Sequence, residues 1–238
     1  DTPVAGDVSY LTKEVVIPEP TPTPGEEITV TTAAELADVL NADVSGNVVT
    51  LTNDVTLINP ITVFLRTNEE ITLTTKGDYT IFRGAENFTL FSIYGGGVFT
   101  IVGKDAENQI TIDGKKDTYT KNTHSMIHVY AGGVLNISEN AILTNNIVAS
   151  GYSPGAIWVV GDGELHITGG SITDNDALGN FNSGGAISTE GKVIMTSGQI
   201  SRNTASGFGG GIEVNVQEGS SFDLIGGDIS NNTARYGG

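Results

Sequence analysis

Gly155-Ala156-Ile157, Gly184-Gly185-Ala186-Ile187 and Gly209-Gly210-Gly211-Ile212 begin three successive units of roughly 25 to 30 residues. A period of this length is the mark of a solenoid, whose turns bury their apolar faces against one another and do not fold singly. Around these anchors the apolar residues fall into columns. The first holds Phe91-Ser92-Ile93, Ile127-His128-Val129, Ile157-Trp158-Val159, Ile187-Ser188-Thr189 and Ile212-Glu213-Val214. The second holds Phe99-Thr100-Ile101, Leu135-Asn136-Ile137, Leu165-His166-Ile167, Val193-Ile194-Met195 and Phe222-Asp223-Leu224. Both alternate with period two, as half-buried strands do.

A third column reads Ile142, Ile172, Ile200 and Ile229, at intervals of 30, 28 and 29 residues. Three positions after each stands an asparagine: Asn145, Asn175, Asn203 and Asn232. Amides stacked at the strand spacing of about 4.8 Å can hydrogen-bond along the column, and asparagine tolerates the left-handed backbone of a corner. Three short strands per turn with glycine-rich corners predict an all-β fold, a right-handed parallel β-helix of about seven or eight turns. The leucine-dense consensus of a leucine-rich repeat is missing. A β-propeller would need four strands per blade and gives no reason for a recurring Ile-x-x-Asn.

The first half keeps the pattern less cleanly, in Val55-Thr56-Leu57, Ile61-Thr62-Val63, Ile71-Thr72-Leu73 and Tyr79-Thr80-Ile81. Thr32-Ala33-Ala34-Glu35 reads as a capping box, with Leu36, Val39 and Leu40 on one helical face. A short helix within a cap spanning residues 31–47, ended by Asn41 and the Ser45-Gly46-Asn47 turn, would plug the open apolar end of the solenoid. Before it, Pro18-Glu19-Pro20-Thr21-Pro22-Thr23-Pro24-Gly25 favours extended polyproline II. Residues 1–25 therefore read as a linker and 26–238 as one β-helix domain. Gly237-Gly238 stands where another unit would open, so the natural chain is expected to be longer.

Eleven basic against 28 acidic residues give a net charge of −17, which argues against a nucleic-acid partner and against docking on anionic lipid. No apolar run approaches the ~18 residues that span a bilayer, so no membrane insertion by this segment is expected. With no cysteine there is no disulfide framework.

The segments Ile172-Thr173-Asp174-Asn175-Asp176-Ala177, Ile200-Ser201-Arg202-Asn203-Thr204-Ala205 and Ile229-Ser230-Asn231-Asn232-Thr233-Ala234 are each followed by a glycine pair. In this the chain resembles bacterial right-handed β-helix proteins of the pectate-lyase-like superfamily. More narrowly it is similar to the repeat-bearing, adhesin-like surface proteins of gut and rumen microbes. Gly184-Gly185-Ala186-Ile187 is also similar to the GGAI motif of chlamydial polymorphic outer-membrane proteins, whose F-x-x-N companion is Ile-x-x-Asn here. The resemblance spans residues 30–238. It implies an extracellular, secreted or surface-attached bacterial module acting in adhesion, with a host or microbial surface glycan or protein as partner, or serving as a stalk that presents other domains.

The same superfamily contains polysaccharide lyases and glycoside hydrolases, so a carbohydrate-active enzyme is the rival reading. A lyase-like site needs clustered carboxylates for Ca²⁺ and a nearby basic residue. Of the four arginines Arg202 gives the best such cluster, one turn from Asp174 and Asp176 by column spacing, and these residues also read as polar decoration of a corner. The paired-Asp and Gly-His-Gly motifs of polygalacturonase-like β-helices are absent, and no catalytic residue is assigned. His128 and His166 occupy outward positions of different columns and His124 lies in the preceding turn, so the three do not form a metal set and are expected to be solvated. Asp105, Asp113, Asp117 and Asp162-Gly163-Glu164 carry oxygens that Ca²⁺ could use at turns, without an EF-hand or nonapeptide spacing. No other cofactor is implied.

What remains is surface. The outward residues are Ser92, His128, Trp158, Ser188 and Glu213 in the first column, and Thr100, Asn136, His166, Ile194 and Asp223 in the second. Trp158, the one tryptophan, should point away from the core. Either its ring is open to solvent or the loop from Asp176 to Ser183, with Phe181, folds over it. Trp158, His128 and His166 are the candidate ligand-binding residues, with Asn145, Asn175, Asn203 and Asn232 as the structural ladder.

Overall fold

The computed structural model describes residues 25–42, 46–105, 107–179 and 183–237. The expected linker up to residue 24, Ser45 of the expected turn and Phe181 of the expected covering loop lie outside the described residues.

The chain winds into a parallel β-solenoid in which every ladder between strands is parallel. The first column is a six-stranded sheet of Ile61–Leu65, Phe91–Gly95, Ile127–Val129, Ile157–Val159, Ile187–Thr189 and Ile212–Val214. The second column runs further, in register through Glu27, Val48, Thr72, Thr100, Asn136, His166, Ile194 and Asp223. Two ten-residue strands, Glu164–Thr173 and Lys192–Ser201, bend so that each serves both the second and the third column. Among the described residues the complete turns number about six, rather than the seven or eight expected. At the N-terminal end a helix takes the place of the missing first-column strand.

That helix, α1 (Ala33–Asn41), starts from the predicted capping box: Glu35 N–H donates to Thr32 Oγ1 at 3.2 Å and Thr32 N–H to Glu35 Oε2 at 3.1 Å. The Thr31 and Thr32 N–H groups, both donating to Glu35 Oε2, hold the Glu35 carboxyl below its usual range. Leu36 and Leu40 are buried, the helix packs on Ile61–Leu65, and Asn41 Oδ1 accepts the Thr62 N–H at 2.9 Å. A solenoid end otherwise presents raw apolar surface, and each such side chain taken out of water contributes about 1.5–3 kcal/mol.

The inward residues of the first two columns are those that alternation predicts, and Ile127, Val129, Ile157, Val159, Leu165 and Ile167 are all fully buried. The glycine pairs follow from close approach between turns. A Cβ on Gly155 would fall on the Gly185 carbonyl oxygen, and one on Gly185 on that of Gly210. Past the asparagine corner the chain adds a fourth column that the three-strand reading lacks: Ile147–Val148, Asp176–Ala177, Thr204–Phe208 and Thr233–Tyr236.

The asparagine ladder is real, but its first member is Asn146 and not Asn145. Asn146 N–H donates to Asn175 Oδ1 at 3.1 Å, Asn175 N–H to Asn203 Oδ1 at 3.0 Å and Asn203 N–H to Asn232 Oδ1 at 3.0 Å. The side-chain amides of Asn175 and Asn203 run the same way, at 3.1 and 3.0 Å. Leu143, not Ile142, is the register partner of Ile172 and is the buried one, so counting from Ile142 lands one residue early. Asn145 takes the left-handed corner position instead, with φ of 61°, and Asp174, Arg202 and Asn231 do so in the following turns at 59°, 56° and 56°.

The two neighbouring asparagines should respond oppositely. Asn146→Ala strands several buried partners and should cost roughly 3 kcal/mol or more in denaturant unfolding. Asn145→Gly relieves a left-handed backbone and should change stability by less than about 1 kcal/mol. The reverse ranking would contradict this register.

Candidate functional site

The first column positions His128 and Trp158 as outward neighbours on adjacent strands, in register with Ser92 before them and Ser188 and Glu213 after. Their rings meet edge to face, 5.3 Å between centroids at 85°. Two residues along the same strands lies a second outward row. Tyr94 and Tyr130 stack at 4.2 Å and 5°, and Phe64, 57% exposed, is in register with Tyr94. His128 joins the rows, 5.7 Å from the Tyr130 ring at 70°. Tyr94, Tyr130, His128 and Trp158 thus make one continuous run of ring contacts, with Phe64 in register at its edge. On the C-terminal side it meets polar groups: Ser188 Oγ donates to Glu213 Oε2 at 2.9 Å and Asn215 Nδ2 to Ser188 Oγ at 3.0 Å.

Sequence reasoning missed Phe64, Tyr94 and Tyr130. Their signal was an aromatic two positions beyond the outward residue of the first-column strand in three consecutive turns, just outside the three-residue window.

His128 is not the solvated imidazole expected. It points outward yet is only 8% exposed, with Nδ1 3.2 Å from Tyr130 Oη and Nε2 3.4 Å from Thr89 Oγ1. Burial, reinforced by His124, pushes its pKa down to about 4. His124 is also lowered, by burial and by the Arg83 cation. Burial and a hydrogen bond with Tyr94 push Tyr130 up to about 12. Trp158 is half-buried, and its indole N–H finds no acceptor among the described residues.

His166 does not join this face. It stands on the second column with Nε2 2.9 Å from Glu164 Oε2. Glu164 lines an open groove of about 440 Å³ at the corner, together with Asp162, Glu190, Lys192 and Glu218.

The rival cluster is engaged in local pairs. Arg202 holds Asp174 in a two-point contact, Nε to Oδ1 at 2.9 Å and Nη2 to Oδ2 at 2.7 Å, which keeps the Asp174 carboxyl below its usual range. Asp176 pairs with Lys116 Nζ at 3.0 Å. Among the turn carboxylates, Asp105 Oδ1 accepts from Glu107 N–H, and Asp113 Oδ1 from Lys115 N–H and the Asn145 side chain. No group of three or more His, Cys, Asp or Glu side chains is arranged to hold a metal ion among the described residues. No helix among them is long and apolar enough to cross a membrane.

Comparison with protein-family models, with curated proteins and with solved structures finds no match to this chain.

Burial of His128 has a consequence in pH. Its folded-state pKa lies below the unfolded value of 6.5, so the unfolded chain binds the proton first and stability is lost as pH falls through that window. Between pH 7.5 and 5 the loss through this group should be about 2 kcal/mol. Denaturant unfolding of the protein and of His128→Asn at both pH values checks this. The variant should lack that share of the pH dependence.

Proposed function

We propose that this chain is a non-catalytic binding module of an exported bacterial surface protein, acting in adhesion through the aromatic face of its first column. The observation that carries the reading is the continuity of that face, with Phe64, Tyr94, Tyr130 and Trp158 partly open beside Ser188, Glu213 and Asn215. Exposed aromatic surface bordered by polar groups suits a sugar ring, whose apolar face packs on carbon while its hydroxyls are oriented by hydrogen bonds. A net charge of −17 disfavours polyanions, so a neutral surface glycan is the partner proposed. A solenoid suits the task mechanically, since its outward side chains recur at strand spacing along a stiff axis. The resemblance to adhesin-like surface proteins supports the same reading.

A carbohydrate-active enzyme on this fold is the competing reading. The carboxylates it would use, Asp174 and Asp176, are engaged by Arg202 and Lys116. Robust release of reducing or unsaturated sugar from a polysaccharide panel, with and without Ca²⁺, would overturn the binding proposal.

On an immobilised panel of neutral glycans, Trp158→Ala should reduce binding at least tenfold, whereas Trp158→Phe, which keeps an aromatic ring, should retain most of it. Because Trp158 is half-buried, the alanine variant should also melt a few degrees lower, and the phenylalanine variant should not. Equal binding by all three proteins would remove Trp158 from the site.

A further inference from the structure

The asparagine ladder has a direction. Each amide oxygen accepts from the turn before it, so Asn146 Oδ1 is the acceptor end and must be satisfied from the N-terminal side. The neighbouring turn offers no asparagine there. It has Gly114, where an added Cβ would lie 2.5 Å from Asn146 Cα. Arg83 fills the role from one turn further back: its Nε donates to Asn146 Oδ1 at 3.3 Å, joined by Asn122 Nδ2 at 3.4 Å.

Arg83 is 1% exposed, the largest fully buried side chain among the described residues. Among those residues its oxygen partners are neutral: Asn146 Oδ1, Phe88 O at 2.6 Å, Ser125 O at 3.4 Å and His124 O at 3.5 Å. The guanidinium also lies 5.3 Å from the Phe88 ring centroid. A buried cation without a carboxylate is expensive unless oriented dipoles replace its water. Here the aligned ladder amides and three carbonyls supply them, much as a helix C-terminus stabilises a cation. Two of those carbonyls belong to His124 and Ser125, on the segment that leads into His128. Asn122 Nδ2 and Asn146 Nδ2 tie down the same His124 carbonyl, at 2.7 and 3.1 Å.

We infer that Arg83 is the positioning residue of the first-column face, terminating the asparagine ladder and holding residues 122–126 so that His124 and His128 sit where they do. Its planar fork reaches oxygens in three directions at once, which a lysine ammonium on a flexible stem does not. The titratable neighbours are Tyr119, His124, His128 and Tyr130, and Arg83 itself stays charged at neutral pH although burial brings it down to about 10. The ladder part of the inference stands alone, and only its consequence for binding rests on the function proposed above.

The test compares Arg83→Gln and Arg83→Lys with the parent protein by thermal melting and by NMR titration of the His124 and His128 imidazoles. Arg83→Gln removes the cation beside His124, so the His124 pKa should rise toward its ordinary value, and the melting midpoint should fall by about 5 °C or more. Arg83→Lys keeps the charge and should restore the low His124 pKa, yet recover only part of the midpoint. A His124 titration unchanged in Arg83→Gln would overturn the inference. So would a lysine variant that melts with the parent, a readout that remains if the glutamine variant does not fold. Altered histidine titrations with unchanged binding to the neutral-glycan panel would support the role of Arg83 and sink the reading of the face as the binding site.

Discussion

The spacing between successive turns is the constraint on which the rest depends. A parallel coil stacks at about 4.8 Å, so any corner that turns inward must satisfy its backbone groups from the turn above or below, without water. The ladder from Asn146 to Asn232 does this by lending side-chain oxygens to main-chain N–H groups one turn earlier. The glycine pairs meet the same spacing by subtraction, since a side chain at Gly155 or Gly185 would occupy the next turn's carbonyl oxygen. Each device works only if the neighbouring turn repeats it, which is why the sequence is periodic.

Periodicity also explains which parts of the molecule were legible beforehand. Inward and outward positions in the first two columns follow from period-two alternation alone, and His128, Trp158 and His166 were placed on their faces that way. The ladder was legible where a single isoleucine sets the count, at Asn175, Asn203 and Asn232, even though Asn231 stands before the last of these. It failed at Ile142-Leu143 and Asn145-Asn146, where both the apolar and the amide positions are doubled and spacing cannot choose between them. The fourth column escaped because strands such as Ile147–Val148 and Asp176–Ala177 are too short for any alternation to register.

Contacts between turns were the least legible. Tyr94 and Tyr130 are 36 residues apart and become a stack only once the register is known. His128 is outward by pattern and buried by its neighbours, a distinction that side-chain periodicity does not carry. Arg83 is the extreme case, because a lone arginine in an acidic chain reads as solvated surface. Its burial depends on an acceptor 63 residues away.

A regular solenoid face is the same from rung to rung, so the recognition proposed for this face would have to arise where the repeat departs from itself. The departures in this chain cluster in one place. Gly114 stands where the ladder would continue, Arg83 and Asn122 replace the missing amide, and the segment from Asn122 to Met126 is pinned across the gap. The strand that follows carries His128 and leads into Tyr130, the two residues that join both aromatic rows. The break in the ladder and the aromatic face are therefore consecutive along the chain. The cation that closes the ladder also biases His124 toward its neutral form, and His124 in turn bears on His128. Structural termination and surface chemistry meet in a single buried guanidinium, in a chain whose charge is otherwise overwhelmingly negative.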